Sequence, residues 1–193
     1  MITDISQLDP KGTYTYADYL KWQFDESVEL IKGKLHRMSP APKRKHQDAS
    51  VNLEYTLLQY FEDKPCKVYD APFDVRLPVQ NRKKPNQIYT VIQPDICVIC
   101  DLTMLDDDGC MGAPDWIIEI TSPRTAKHDF NEKYNLYEEA GVREYWIVQP
   151  VEKAVNVYTL ENGEYALVDV YESGNIPCRI FPDLLVPHER IFR

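Results

Sequence analysis

A run of apolar residues with one carboxylate in its middle, "APDWIIEITSP" from Ala113 to Pro123, places the tightest constraint on the fold. Its composition is typical of a buried β-strand, in which successive side chains point to opposite faces of a sheet. On that pattern Glu119 shares a face with Ile117 and Thr121. A lone buried carboxylate costs several kcal/mol unless another group pairs with it or coordinates it. The sequence therefore predicts a partner for Glu119 inside the fold.

A second strand, "QPDICVI" from Gln93 to Ile99, begins with a similar motif and carries Asp95 at its start. On neighbouring strands Asp95 and Glu119 can converge at one edge of the sheet, where their oxygens are the hard ligands that Mg²⁺ prefers. Glu29, on a strand of the hairpin predicted in "SVELIKGKLHRMS", is a candidate third acid. Two structural interpretations stay open: Asp95 as an ordinary strand-start residue, and Glu119 as the salt-bridge partner of an Arg or Lys.

The helix predicted from Phe130 to Ala140 carries a lysine where an apolar residue is expected. Its apolar stripe, at helical spacing, consists of Phe130, Tyr134, Tyr137 and Ala140. Lys133 falls inside this stripe and needs an anionic partner, either Glu119, Asp95 or a bound phosphate. In phosphodiester hydrolysis such a cation stabilises charge on phosphorus or orients the attacking water. The alternative is that the ammonium group reaches solvent past Tyr137.

The other patterns predict a mixed order of helices and strands. Thr15 and Asp18 can cap a first helix, and Asp129 and Gly141 are expected to begin and end the helix that carries Lys133. A long amphipathic helix is predicted in "HQDASVNLEYTLLQYFED". Its expected apolar face consists of Val51, Leu53, Tyr55, Leu57, Leu58 and Phe61.

The segment "KAVNVYTLENGEYALVDVYES" is expected to form a hairpin, and "DLTMLDDDGCMGAP" an acidic, turn-rich loop. A strand–helix–strand crossover late in the chain predicts a mixed sheet. We therefore expect an α/β or α+β fold in a single domain over residues 1–193.

The charge balance limits how the chain can bind nucleic acid. A net charge of −9 and a pI near 4.9 argue against a surface that grips nucleic acid everywhere. They allow binding through metal ions and a local basic strip, and the basic segments are Pro42 to His46 and Asn81 to Pro85. The alternative is that both segments are solvated loops or helix starts.

The cysteines and the hydropathy of the chain predict its compartment. Five scattered cysteines do not resemble a disulfide framework, so reduced thiols are expected. Cys97 and Cys100, three apart on a strand, point to opposite faces and are expected to be core residues rather than zinc ligands. No window resembles a membrane span and the first residues lack a secretion signal, so we predict a cytoplasmic protein with no membrane partner.

Two histidines and one acidic run are weaker candidates. His46 could contact a phosphate near the site, and His128 precedes the predicted helix that carries Lys133. We favour surface or capping roles for both histidines. The run "DDDG", Asp106 to Gly109, lacks the alternating ligands of a calcium loop and is expected to be a solvated turn.

Many short motifs in a fixed order carry a family resemblance over roughly Tyr14 to Val170. They are "TYADYL", "VELIKGKLHRMSPAP", "HQ", "APFDVRLP", "QPDICVI", "GAPDWIIEITSPRTAKHD", "KYNLYEEAGVREYWIVQP" and "VYTL". Together they resemble the Uma-type restriction endonuclease-like family, a domain of unknown function placed in the PD-(D/E)XK nuclease superfamily. The resemblance implies a restriction-endonuclease-like fold, with a central mixed β-sheet flanked by helices and extra β-hairpins.

The resemblance also implies roles for four residues. The acidic motif of the superfamily corresponds to Asp95, its glutamate to Glu119, and its early metal-assisting acid to Glu29. The superfamily lysine usually follows the glutamate by two positions, where this chain has Thr121. Lys133 on the following helix is the matching lysine.

Two further positions depart from the family pattern. Lys32 stands where family members often carry Asp before the hairpin glycine, and Gln149 stands where they often carry Asp. Neither departure removes an expected ligand.

The leading functional hypothesis is a metal-dependent DNA endonuclease. Asp95, Glu119 and the carbonyl of Ile120 would hold Mg²⁺ or Mn²⁺, Glu29 would support the metal, and Lys133 would stabilise the transition state. A homodimer or higher homo-oligomer is expected, because family members tend to be oligomeric and the terminal hairpin could pair across a two-fold axis. The alternatives are a non-catalytic binding or regulatory module that keeps the nuclease fold, and a two-carboxylate hydrolase without metal.

Overall fold

The computed structural model describes residues 1–38, 43–79, 83–123 and 125–193. Both predicted basic segments fall partly outside these ranges. Within the described residues, no helix is long and apolar enough to cross a membrane.

In the described ranges the fold consists of fourteen strands and a small number of helices. In chain order the strands are β1 (Val28–Ile31), β2 (Lys34–Arg37), β3 (Lys67–Asp70), β4 (Val75–Arg76), β5 (Val91–Ile92), β6 (Ile96–Ile99), β7 (Leu105–Asp106), β8 (Gly109–Met111), β9 (Trp116–Ile120), β10 (Glu144–Gln149), β11 (Ala154–Glu161), β12 (Glu164–Tyr171), β13 (Asn175–Pro177) and β14 (Leu185–Pro187). The helices are α1 (Tyr16–Tyr19), α2 (Arg44–Phe61), α3 (Ala126–His128), a π-helical segment (Asp129–Lys133), α4 (Tyr134–Ala140) and α5 (His188–Ile191).

The central sheet has the strand order β12-β11-β10-β9-β6-β3. Strands β9 and β10 are parallel and the other neighbours are antiparallel, so the sheet is mixed as predicted. A parallel pair requires a crossover connection, and the helical residues between β9 and β10 provide it. This crossover carries Lys133 over the sheet.

A second mixed sheet, the outer sheet, has the order β2-β1-β5-β4-β8-β7. Strand β1 is buried along its whole length and contains Glu29. The first hairpin is therefore the edge of a sheet rather than an isolated extra hairpin. The prediction of a turn-rich loop before β9 is wrong in part, because β7 and β8 form a short hairpin there.

The helix α2 packs on one face of the central sheet. Its buried side chains recur at intervals of three and four residues and are Ala49, Leu53, Thr56, Leu57 and Phe61. Val51, Tyr55 and Leu58 are about half exposed, so the prediction that they belong to the packed face is wrong. At 100° per residue they lie on the side of the helix opposite Leu53, and the burial of Leu53, Leu57 and Phe61 determines which side faces the sheet.

The helical residues of the crossover run without a break and are called the lysine helix (α3, the π-helical segment and α4). Asp129 is not its N-cap, because the helix begins at Ala126 after a turn in which Ala126 N–H donates to Ser122 O. Asp129 is instead buried inside the π-helical segment. Gly141 ends the helix with a φ of 88°, which confirms the predicted stop.

The cysteines correct one prediction. Cys66 and Cys100 form a disulfide, so the expectation of reduced thiols is wrong for this pair. The two residues flank the paired strands β3 and β6, where Lys67 lies opposite Ile99, and this register brings them together. Cys97 is buried on the other face of β6 among the residues under the lysine helix, as its alternation with Cys100 predicts.

Candidate active site

Lys133 and two glutamates form a buried ion cluster between the sheets. Lys133 Nζ lies 2.8 Å from Glu119 Oε1 and 3.1 Å from Glu29 Oε1, and all three residues are at most 5% exposed. Tyr137 donates its hydroxyl hydrogen to Glu119 Oε1 at 2.5 Å. The alternative in which Lys133 reaches solvent is therefore wrong.

Three separate elements bring this cluster together. Glu119 lies in β9 and, because side chains alternate along a strand, faces the lysine helix together with Ile117, while Ile118 packs on the α2 side. Glu29 comes from β1 of the outer sheet, where it also accepts a hydrogen bond from Gln93 N at 3.0 Å. Lys133 is the last residue of the π-helical segment.

Asp95 lies beside this cluster, one residue before β6. The register of β6 against β9 pairs Ile96 with Ile118, so Asp95 is placed alongside Glu119. Its Oδ2 accepts a hydrogen bond from Ile120 N at 2.7 Å, and its side chain is 23% exposed. The structure thus brings together all four predicted site residues, and Ile120, the predicted carbonyl ligand, adjoins Asp95.

The pKa values of the two glutamates that share Lys133 shift in opposite directions. Burial, with repulsion from Asp95, Asp129 and Glu29, raises the pKa of Glu119 to about 8, although Lys133 opposes the shift. Burial disfavours the charged form of Glu29 too, but Lys133 and hydrogen bonds from its neighbours outweigh it and lower its pKa to about 2. Both glutamates therefore share Lys133, and Glu119 is the one that also faces the negative charges of Asp95, Asp129 and Glu29.

His46 adjoins the site, and its predicted surface or capping role is wrong. Its Nε2 lies 3.2 Å from Asp95 Oδ1, and its side chain is only 16% exposed. Burial disfavours the charged ring, yet hydrogen bonding with Asp95 and the backbone of Ile120 raises the pKa of His46. Among the described residues its Nδ1 is buried without a hydrogen-bond partner. The signal available in the sequence was the position of His46 at the start of a helix, next to a basic run.

His128 also adjoins the cluster, and its predicted surface or capping role is wrong. Its Nδ1 lies 3.0 Å from Glu132 Oε2, and its Nε2 faces Glu29 Oε2 at 3.9 Å. The pKa of His128 is raised chiefly by Glu29, against the effect of burial. His128 directly precedes the π-helical segment that ends at Lys133.

The departures from the family pattern have structural roles that leave the cluster intact. Thr121 is buried and its N–H donates to Val148 O at 2.8 Å. Lys32, in the hairpin turn, pairs with Glu139 of the lysine helix at 2.7 Å. Gln149 donates to Asn156 at 2.8 Å.

Two other acids considered in the sequence form hydrogen bonds and ion pairs that stabilise the fold. Asp115, in the repeated "PD" motif, accepts a hydrogen bond from Cys100 N at 2.8 Å and pairs with Arg143 at 3.1 Å. Asp106 of the "DDDG" run pairs with Arg76, and the run turns the β7–β8 hairpin. Neither acid contacts the ion cluster.

The comparison with protein families decides which family the chain belongs to. A model of the Uma2 family, described as "Putative restriction endonuclease", matches residues 16–187. The chain is a member of the Uma2 family. The sequence resemblance to Uma-type endonucleases is thereby confirmed, and Glu29, Asp95, Glu119 and Lys133 all lie within the matched part.

Two proteins are similar to this Uma2 chain over most of their length. An "Uncharacterized protein slr1290" of Synechocystis is 23% identical over 166 residues, which cover 84% of this chain and 83% of that protein. A crystal structure of a "putative nuclease belonging to DUF820" from Anabaena variabilis has a TM-score of 0.71 at 21% identity. That match covers 93% of this chain and 97% of the other, and it confirms the predicted nuclease-type fold.

Proposed function

We propose that this Uma2 chain is a divalent-metal-dependent endonuclease that hydrolyses phosphodiester bonds in DNA. The observation that carries the proposal is a single buried lysine among an excess of carboxylates. Lys133 neutralises one unit of charge, whereas Glu29, Glu119, Asp129 and Asp95 lie in or beside the same pocket. Burial and the neighbouring Asp95 also raise the pKa of Asp129, so the surplus negative charge affects more than one group.

The donor set suits a hard divalent cation. Asp95 and Glu119 offer carboxylate oxygens, and the Ile120 carbonyl is a possible third ligand; these are the ligand types of Mg²⁺ and Mn²⁺. In such a site the bound ion supplies a water of lowered pKa and neutralises charge on phosphate. The raised pKa of Glu119 supports the assignment, because a carboxylate that resists ionisation in the metal-free protein gains most from a cation.

The side chains have separate roles in this proposal. Glu119 and Asp95 would hold the cation, and the Lys133 ammonium would donate to a phosphate oxygen as negative charge develops. Glu29 holds Lys133 in place, because it stays ionised, and it also adds negative charge for a cation. His46 positions Asp95 through its Nε2 contact.

Local charge favours nucleic acid as the substrate despite the acidic total. Lys43, Arg44 and Lys45 directly precede His46 at the start of α2, so three cations lie at the end of the helix nearest Asp95. Such a strip neutralises phosphates without requiring a basic surface elsewhere.

The test is nicking of a supercoiled plasmid with Mg²⁺ or Mn²⁺. Wild type is compared with Asp95→Asn, Lys133→Ala and the control Asp115→Asn, which alters the other "PD" motif. We expect the rate of plasmid nicking to fall at least about 100-fold in the first two variants, because each removes a group that acts in the proposed reaction. The rate should fall little in the control. Equal nicking by all four proteins would remove the assignment, and an RNA substrate run in parallel tests the choice of DNA.

A non-catalytic module that keeps the nuclease fold is the second candidate. It is favoured by Thr121, which stands in place of the usual superfamily lysine. Calorimetric titration with Mn²⁺ separates the candidates: heat that disappears in Glu119→Gln supports the enzyme, and absence of heat in wild type supports the module. The third alternative, a metal-free two-carboxylate hydrolase, gives Lys133 no part in the reaction.

A further inference from the structure

A second group of potential ligands lies beyond Glu29, outside the proposed Mg²⁺ site. His36, His128 and Glu132 each offer one ligand atom, and these atoms lie within 4.8 Å of one another. Glu132 Oε2 is 3.0 Å from His128 Nδ1 and 3.8 Å from His36 Nδ1. Two imidazoles and one carboxylate make a different donor set from the oxygen-rich cluster at Asp95.

The fold holds these three side chains from two elements. His36 lies on β2 directly opposite Glu29 of β1, so both project from the same face of the hairpin. His128 and Glu132 are four residues apart on the lysine helix. The rings of His36 and His128 are stacked, with centroids 5.5 Å apart and 29° between their planes. The group therefore bridges the hairpin and the helix.

The distances suit a tetrahedral ion that prefers nitrogen and carboxylate ligands. Ligands about 2.0–2.1 Å from Zn²⁺ in a tetrahedron are about 3.3 Å apart. The distances from Glu132 to the two imidazoles fall on either side of this value, and the two imidazole ligand atoms lie within 4.8 Å of each other, so the ligand atoms need to approach one another by up to about 1.5 Å. The side chains are 32%, 27% and 57% exposed, which leaves a route for the ion and room for water as a fourth ligand.

The surroundings support an ion at this position. Glu29 Oε2 faces the other ring nitrogen of His128, and metal-bound histidines usually direct that nitrogen toward a carboxylate or carbonyl. Lys133 carries a positive charge that would repel a bound cation, but this charge is already paired with Glu119 and Glu29.

We propose that His36, His128 and Glu132 bind a zinc-class ion, distinct from the Mg²⁺ of the nuclease site, that fastens the β1–β2 hairpin to the lysine helix. Because the hairpin carries Glu29 and the helix carries Lys133, the ion would fix the spacing of that ion pair. The binding itself does not depend on the proposed nuclease activity.

The test is calorimetric titration of Zn²⁺ into the chelator-treated full chain. Wild type is compared with His36→Ala, Glu132→Gln and the control Glu139→Gln. Glu139 is 59% exposed against 57% for Glu132 and lies on the same helix, but it pairs with Lys32 and faces neither histidine, so Glu139→Gln removes the same charge without removing a proposed ligand. With excess Mg²⁺ present to occupy the proposed nuclease site, we expect one saturable Zn²⁺ site, whose affinity is weakened at least about tenfold in His36→Ala and Glu132→Gln and unchanged in the control.

Two further measurements distinguish this site from others in the chain. Asp95→Asn should bind Zn²⁺ as wild type does, and the Co²⁺ form should show no thiolate-to-metal absorption band, since all three ligands are nitrogen or oxygen. No saturable binding by wild type, binding unaltered in both ligand variants, or binding lost in Asp95→Asn would each overturn the proposal.

Discussion

Glu119 and Glu144 are two buried glutamates on neighbouring parallel strands, and their surroundings are opposite in kind. Glu144 is fully buried at the start of β10 and accepts from Trp146 Nε1 at 2.6 Å, from Cys178 Sγ at 3.2 Å, and from the N–H groups of Arg179 and Ile180 at 2.9 Å each. Glu119 accepts from Lys133 and Tyr137 but faces other carboxylates.

Burial raises the pKa of both glutamates, so burial does not tell them apart. The difference lies in the other charges. Four neutral donors hydrogen-bond to the Glu144 carboxylate. Through these bonds the carboxylate holds the segment Cys178–Ile180 against the central sheet. Around Glu119 the donors are fewer and the acids more numerous, so a cation would improve the site. A buried carboxylate is a functional candidate when its neighbours leave negative charge uncompensated.

The largest effect on stability is expected for Glu144→Ala. The substitution leaves four donors without their acceptor and opens a cavity, so the free energy of unfolding should fall by about 4 kcal/mol. Urea denaturation measures it. A loss below about 1 kcal/mol would show that Glu144 is not a structural anchor, and the contrast with Glu119 would fail.

Glu119→Gln should separate function from stability. We expect plasmid nicking to fall at least about 100-fold, because the proposed metal ligand is lost, while the free energy of unfolding measured at about pH 5, at the low end of the Glu119 titration, changes by no more than about 1 kcal/mol. The amide oxygen can still accept from Tyr137 and Lys133, and Glu29 remains as the counter-ion of Lys133. Nicking is measured beside urea denaturation of the same preparation, and a variant that loses mainly stability would place Glu119 in the same class as Glu144.

The pH dependence of stability gives an intermediate effect. The pKa of Glu119 rises from its ordinary value of 4.5 to about 8 on folding, so between these values the folded protein holds a proton that the unfolded chain releases. Wild-type stability in EDTA should therefore fall as pH rises through this window, by up to about 1.4 kcal/mol per pH unit from this group. The lowered pKa of Glu29 acts below 4.5, outside the window.

The matched measurement is the same pH series on Glu119→Gln, which lacks the titrating group. The variant should gain stability relative to wild type as pH rises. Parallel pH profiles for the two proteins would show that Glu119 ionises normally and that the charge surplus is absent.

A smaller effect than that of Glu144→Ala is expected for Trp146→Phe. The substitution removes one donor to Glu144 and leaves the other three. The free energy of unfolding should therefore fall by about 1–2 kcal/mol, and part of this loss comes from the smaller volume of the phenyl ring in the core. Thermal denaturation measures the change, and nicking per folded molecule should be unaltered. A loss as large as that of Glu144→Ala would mean that the indole, rather than the set of donors, anchors the carboxylate.

Local patterns predicted much of the fold. The alternation in β9, the first hairpin, the crossover before β10 and the lysine inside an apolar stripe all follow from short-range periodicity, and the structure contains each of them. The single domain, the cytoplasmic location and the homo-oligomer stay predictions.

The features that sequence reasoning missed depend on long-range pairing. The Cys66–Cys100 disulfide arises from the register of β3 on β6 across 34 residues of sequence. The buried side of α2 was misjudged because Val51, Tyr55 and Leu58 are also apolar, and only the sheet beneath decides which side is covered. The structural role of Glu144 cannot be predicted from local patterns, because two of its backbone donors belong to a segment more than thirty residues later.

The π-helical segment Asp129–Lys133 has a consequence for how this family can vary in length. A π-turn accommodates more residues than an α-turn, and each residue removed from a helix rotates the remainder of that helix by about 100°. Deleting one residue here would turn Tyr137 and the helix end at Gly141 away from β10, or swing the Lys133 ammonium out of reach of both glutamates. Relatives that keep the site can therefore exchange side chains in this stretch far more freely than they can shorten or lengthen it.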